Sequence, residues 1–174
     1  MESEECPAAQ RWKVHLGRSA WRTIHSLPFG LGASGSGGDD GPERYLQYMV
    51  SLRALYPCLE CRSHMQVEQG EHFERLRVLV QWVRRAGELG VCTPGGALAW
   101  LLLWGVEFHN SVSRTLEKSV WGPAGVCVFT VQSDGRPHTG LTRAQEQVLL
   151  AKLWECYGPD PSSRPFEYPD RGVC

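Results

Sequence analysis

The chain has no hydrophobic run long enough to cross a bilayer. Its longest, Ala97 to Val106, is far below the ~20 residues a membrane-spanning helix needs, so no membrane span is expected. It also lacks any block of like charge, and its formal net charge is -1. A long-range electrostatic pull toward nucleic acid or an anionic membrane is thereby excluded. The opening residues, Met1-Glu2-Ser3-Glu4-Glu5-Cys6, are acidic and polar. They have neither the apolar core of a secretory signal nor the arginines of a transit peptide, so a soluble chain made without an export address is expected. There is no internal repeat. There is one Cys-x-x-Cys and no second, and no His/Cys doublet to complete the four ligands of a common structural zinc site. No metal ligands are assigned.

What is present is enough for a core. The 174 residues are 42% hydrophobic and include seven Trp, which is the size and content of one domain with an appendage. Seven cysteines, Cys6, Cys58, Cys61, Cys92, Cys127, Cys156 and Cys174, leave one over or pairing between chains. Stable structural disulfides are not the default without a signal peptide, whereas a catalytic redox pair is the natural exception.

Residues 1–12 read as a flexible N-terminus. Helical spacing begins at Gly17 and ends before Pro28, with Trp21 and His25 four apart on one face. Residues 30–42, rich in Gly, Ser and Asp, read as a loop. Further helices are expected over 43–55, from the cysteine pair to about 68, over 72–88, and over 97–117, where Leu101, Trp104, Phe108, Val112 and Leu116 recur at spacings of three and four. Gly90 to Gly96 reads as a break. Beyond Trp121 the pattern changes. A strand is expected over 124–132, then a Ser-Asp-Gly turn. Thr142 can cap a helix over 143–156 that buries Val148, Leu149, Leu150, Leu153 and Trp154. Residues 158–173 read as irregular. The fold class is mainly α: a helical domain over 13–121 and a small α+β C-terminal extension over 122–174 of unknown role.

The most informative local feature is Tyr56-Pro57-Cys58-Leu59-Glu60-Cys61. Pro57 suits the first turn of a helix, where a missing N–H costs nothing. Both cysteines then fall at the helix mouth, where free N–H groups and the dipole favour a thiolate. Such a pair can close a disulfide or contribute to a metal site. A thioredoxin-like setting would place the pair after a strand in a βαβ unit, and the residues before Cys58 read as helix instead.

Three segments in order, Gly17-Arg18-Ser19-Ala20-Trp21 with His25, then Tyr56-Pro57-Cys58-Leu59-Glu60-Cys61, then His109-Asn110-Ser111-Val112-Ser113 with Lys118, resemble the Erv/ALR flavin-dependent sulfhydryl oxidases over roughly residues 13–121. The resemblance implies a four-helix bundle holding FAD between its helices, as a homodimer. It implies catalysis by Cys58 and Cys61, with Cys58 the outer sulfur that forms a mixed disulfide with substrate and Cys61 the inner one that faces the flavin. It places Gly17, Arg18, Ser19, Trp21, His25 and Cys61 against the cofactor, His109, Asn110, Val112 and Ser113 at its adenine half, and Lys118 and Trp121 beside it. Arg18 and Lys118 are of the type that neutralises a pyrophosphate, and Trp21 and Trp121 offer faces for stacking. The implied reaction oxidises protein dithiols, or a thioredoxin-like relay protein, and passes the electrons to O2 to give H2O2. Short members are encoded by large cytoplasmic DNA viruses, so the host cytoplasm or the virion is the implied address, with the mitochondrial intermembrane space or the secretory pathway as alternatives.

The chain departs from that family in four ways. Ser113 stands where the family has Asn. Val106 and the region of Pro123 carry no cysteines for the family's structural bridge. The interval between Cys61 and His109 is longer, the extra residues lying in 72–96. No second cysteine pair exists to shuttle electrons, which leaves Cys6, Cys156 or Cys174 as candidates, while Cys127 reads as buried and inert. The competing function is a non-enzymatic scaffold or zinc module that uses Cys58 and Cys61 structurally.

Overall fold

The computed structural model describes residues 7–33 and 40–158. Cys6, Cys174, the glycine-rich stretch 34–39 and the residues after 158, expected from sequence to be irregular, lie outside the described residues. The described chain is mainly helical: α1 (Pro7–Ala33), α2 (Gly41–Leu55), α3 (Leu59–Val67), α4 (Gly70–Glu88), α5 (Pro94–Thr115), then a two-stranded antiparallel sheet of β1 (Thr130–Val131) and β2 (Pro137–His138), and α6 (Arg143–Tyr157). No described helix is long and apolar enough to cross a membrane.

The centre is α5. Every residue from Gly95 to Phe108 is buried, as expected of a helix that is apolar all round. Helices α1, α2, α4 and α6 pack against it. Trp104 is fully buried and lies stacked over Phe108 with ring centroids 5.4 Å apart. Its indole N–H donates to the His72 carbonyl at 2.9 Å, so the polar tip of a large apolar group stays satisfied. Full burial of such a side chain stabilises by about 2–3 kcal/mol. Tyr45 ties α2 to α1 in the same way, donating to the Ile24 carbonyl at 3.1 Å.

Several boundaries differ from the sequence-based expectation, each for a physical reason. Helix α1 starts at Pro7 and runs through Pro28 to Ala33, so residues 7–12 are helical rather than loose. A proline inside a helix costs roughly 3 kcal/mol. Here Ile24, Pro28 and Phe29 are all buried, and Phe29 meets Trp154 of α6 edge-on at 5.2 Å. Packing on both sides of the proline outweighs the lost backbone bond. Helix α5 begins at Pro94, inside the expected break. Thr93 caps it by accepting from the Gly96 N–H at 3.1 Å, with Pro94 at the first position, the arrangement that P-after-Thr favours.

The expected strand over 124–132 is reduced to Thr130–Val131, paired with Pro137–His138 across a turn at Gly135 (φ 84°). Thr142 caps α6 as expected, in a reciprocal capping box with Gln145. Val148, expected in the core, is 69% exposed, while Leu149, Leu150, Leu153 and Trp154 are buried. Six described helices, rather than a plain bundle of four, result because the stretch 72–88 is a full helix of the core, with Phe73, Leu76, Leu79, Val80 and Val83 buried.

Helix α5 closes with a Schellman motif. Lys118 N–H bonds to the Ser113 carbonyl at 2.8 Å and Glu117 N–H to the Arg114 carbonyl at 3.1 Å. Glu117 takes the left-handed conformation, φ 53°, that glycine usually supplies. This turn reverses the chain and brings Trp121 back along α5.

Candidate functional site

The cysteine pair sits at the head of α3. Cys58 is the N-cap, with extended backbone, and Cys61 lies in the first turn. Pro57 is one residue outside the cap rather than inside the helix. Cys58 and Cys61 are joined in a disulfide, Cα–Cα 5.3 Å. The Cys61 N–H donates to Cys58 Sγ at 3.2 Å. A sulfur in that place gains both a hydrogen bond and the positive end of the helix dipole, which lowers the free energy of its thiolate. Residue burial runs the other way from the outer and inner roles that the resemblance implies. Cys58 is 5% exposed, and Cys61 is half-buried. The N-cap role draws the Cys58 side chain back over the helix end and leaves Cys61 nearer the surface.

Helix α3 is short; it is held by α1 and α2, and the link that follows it is held by α5. Lys13 of α1 pairs with Glu60 at 3.4 Å. Arg53 of α2 donates to the Gln66 carbonyl at 2.9 Å. Buried Gln69 accepts from the Ser111 hydroxyl of α5 at 2.8 Å. Leu55 and Leu59 flank the pair at 76% and 70% exposure, which gives the disulfide an apolar border.

A second cluster lies along α1, α5 and the turn after it. The Trp21 indole stacks on the His109 imidazole, centroids 4.1 Å apart and planes 9° from parallel. His25 Nε2 and His109 Nδ1 share a hydrogen bond of 3.1 Å. The His25 ring also faces Trp121 at 6.3 Å. Both imidazoles are held neutral. Burial, then the neighbouring His109, lowers His25 to about 3. Burial, then the Lys118 ammonium, lowers His109 to about 4.

That depression has a sign. The unfolded chain takes up these protons near pH 6.5 and the folded chain does not, so stability is fully present above pH 6.5 and is lost as pH falls toward 4 and then 3. His72, also lowered chiefly by burial, acts in the same direction. Thermal melts from pH 7.5 to pH 4 are expected to show a steady fall in Tm corresponding to about two protons in the lower part of that range. His25→Gln, itself less stable, should flatten the slope by about one proton. An unchanged slope would show that His25 is not the group responsible.

The residues picked out along the chain are gathered unequally. Trp21, His25, His109 and Trp121 form the ring cluster. Asn110 is buried, and its amide holds the Trp121 backbone: Nδ2 donates to the Trp121 carbonyl at 2.8 Å, and Oδ1 accepts the Trp121 N–H at 2.7 Å. Asn110 therefore positions Trp121. Ser113 is buried under the Schellman turn, and Val112 is half-buried. Arg18, Ser19 and Lys118 are exposed. Gly17 lies between Lys13 and Trp21 on α1, and a Cβ added there would meet nothing within 4 Å. Lys13 and Trp21, eight residues apart, are about 12 Å apart along a helix rising 1.5 Å per residue. The disulfide helix and the ring cluster thus meet α1 at either side of an open stretch at Gly17.

Outside this set, Cys127 is a free thiol and is exposed, not buried as expected, although partial burial still pushes its pKa up. Cys156 is free and exposed. Cys92 is disulfide-bonded. Among the described residues no group of three or more His, Cys, Asp or Glu is placed to hold a metal ion.

Two residues of the extension that no sequence signal distinguishes also reach the cluster: Tyr157, 4.9 Å from His25, and Lys152, whose ammonium lies 5.1 Å over Trp121. Glu107, buried inside the apolar face of α5, is a third unforeseen residue. Its only sequence signal is a lone carboxylate in a run of apolar residues.

The described residues define a helical protein with a disulfide at the mouth of α3 and a separate neutral imidazole–indole cluster between α1 and α5. No protein-family model, curated protein or solved structure matches the chain.

Proposed function

We propose that this protein is an FAD-dependent thiol oxidase of the Erv/ALR kind, forming disulfides in protein dithiols or in a thioredoxin-like relay protein. The observation that carries the reading is the Cys58–Cys61 disulfide, with its Cys58 sulfur receiving the Cys61 N–H in the first turn of α3. A disulfide so placed is a good electrophile, because the departing sulfur leaves as a stabilised thiolate.

The residues present suit a flavin dinucleotide. Trp21, His109 and Trp121 offer flat faces, the two imidazoles are uncharged acceptors or donors of single protons, Arg18 and Lys118 are exposed cations, and Gly17 leaves open space. FAD would supply the two-electron acceptor between the protein dithiol and O2, which is reduced to H2O2.

The thiol chemistry falls to the chain itself. A substrate thiolate attacks Cys61 Sγ, the half-buried sulfur. The S–S bond breaks, and Cys58 leaves as a thiolate held by the Cys61 N–H. A second substrate thiolate then attacks the substrate sulfur of the mixed disulfide, releasing substrate disulfide and Cys61 as a thiolate. The protein now carries two electrons as a Cys58/Cys61 dithiol. This order exchanges the outer and inner roles expected from the resemblance. Exposed Leu55 and Leu59 supply apolar contact for a protein substrate.

The deciding experiment is the visible spectrum of the purified full chain, followed by peroxide measurement on adding a dithiol. A yellow protein with a flavin spectrum and one peroxide per disulfide formed is expected. A colourless protein that releases no peroxide when FAD is supplied overturns the reading in favour of a structural disulfide.

A further inference from the structure

The C-terminal extension folds its last helix onto the ring cluster. Tyr157 sits 4.9 Å from His25 and 6.1 Å from Trp121, and Lys152 lies over the Trp121 ring. The cation count around this platform is notable. Arg18 and Arg22 are exposed one turn apart on α1, Lys118 follows α5, and Lys152 comes from α6. Arg22 acts electrostatically on Tyr157, and Lys118 on His109, so these charges stand close to the rings. Lys13, Arg44, Arg75, Arg77, Arg84, Arg114 and Arg136 all pair with carboxylates. Arg18, Arg22, Lys118 and Lys152 pair with none among the described residues.

Four exposed cations from three elements, in a chain of net charge -1, give an anionic group several charges to meet at once. The surface they surround is aromatic and uncharged. We propose that Lys152 and Tyr157 are ligand-binding residues, completing with Arg18, Arg22 and Lys118 a collar for an aromatic ligand that carries a diphosphate. The extension is then part of the nucleotide site rather than an appendage. This rests on the FAD reading and adds to it the residues of α6.

Three variants of the full chain test it: Lys152→Met, which keeps an unbranched stem over Trp121 and removes the charge; Lys152→Arg, which restores the charge; and Tyr157→Leu. Titrations with FAD and with ADP, read by fluorescence, give Kd at low and high salt, and the Tm of each apoprotein controls for folding. Lys152→Met should weaken both ligands about tenfold at low salt, which is about 1.4 kcal/mol. The loss should shrink at 1 M salt, where screening shortens to about 3 Å. Lys152→Arg should bind within about twofold of wild type, and Tyr157→Leu should weaken FAD with unchanged salt dependence.

If wild type binds FAD and Lys152→Met binds it equally well, the inference falls and the oxidase reading stands. If wild type binds ADP in a Lys152-dependent way but takes up no FAD, the collar stands and the oxidase reading falls. If wild type binds neither, both fall.

Discussion

On the proposed oxidase reading, turnover is expected to fall by on the order of a thousandfold or more when either Cys58 or Cys61 is replaced by serine, with flavin binding retained in both. The pair acts as a unit: without one sulfur there is no disulfide to attack and no dithiol to carry two electrons. The two variants should nevertheless differ. In Cys58→Ser the remaining thiol is half-buried Cys61. In Cys61→Ser it is Cys58, 5% exposed and tucked over the helix mouth. A small aromatic disulfide reagent should therefore label Cys61 in the first variant about tenfold faster than Cys58 in the second, both measured on native protein with urea-unfolded controls. Faster labelling of Cys58 would reverse the roles assigned here. Peroxide release surviving in either variant would remove the pair from the reaction altogether.

The largest stability effect outside the aromatic core is expected at Glu107. Its carboxylate is 4% exposed. One oxygen accepts from the Arg114 guanidinium, and the other accepts the Val128 N–H at 2.7 Å. Val128 is itself fully buried, so this bond pins the start of the extension to α5. Glu107→Ala deletes the acceptor, leaves a buried N–H without a partner and opens a small void. A loss of about 3 kcal/mol is expected, or roughly 6–12 °C in Tm for a chain of this size. Glu107→Gln keeps an oxygen for Val128 and loses only the charge-assisted bond, so about 1 kcal/mol is expected. Denaturant unfolding of the three proteins measures this directly. A Glu107→Ala variant within about 0.5 kcal/mol of wild type would show that packing alone seats the extension.

The helical segments were legible because their apolar residues recur at helical spacing. Tyr45, Met49, Phe73, Leu76, Trp104 and Phe108 were all placed in helices from pattern alone, and the structure buries each of them. The cap at Thr142 was legible because a Ser/Thr cap followed by Gln is a local signal. What escaped is tertiary. Pro28 reads as a stop until Phe29 and Trp154 are seen to hold the helix on both sides of it. Val148 and Leu149 are adjacent and equally apolar, and only the direction from which α6 meets the core decides which one is buried. The candidate site divides along the same line. Cys58, Cys61, Trp21 and His25 stood out by residue type and spacing, and His109 only through the resemblance of its segment. Lys152 and Tyr157 did not, since nothing local says that α6, far beyond Trp21 in the chain, lies over that residue's neighbours. The use of Asn110 on the Trp121 backbone was likewise invisible, because it depends on the reversal at Glu117.

The length of α1 has a mechanical side. At 27 residues it spans about 40 Å. From Trp21 to Phe29 it packs on α5 and α6, while near its beginning Trp12 and Val14 stand half in water at 49% and 51% exposure, with the Lys13–Glu60 contact as a tether. Local opening of those first turns costs little, whereas opening at Ile24 or Phe29 means losing the core. Protection against amide exchange therefore grades along one unbroken rod, and the disulfide helix is moored to its soft end.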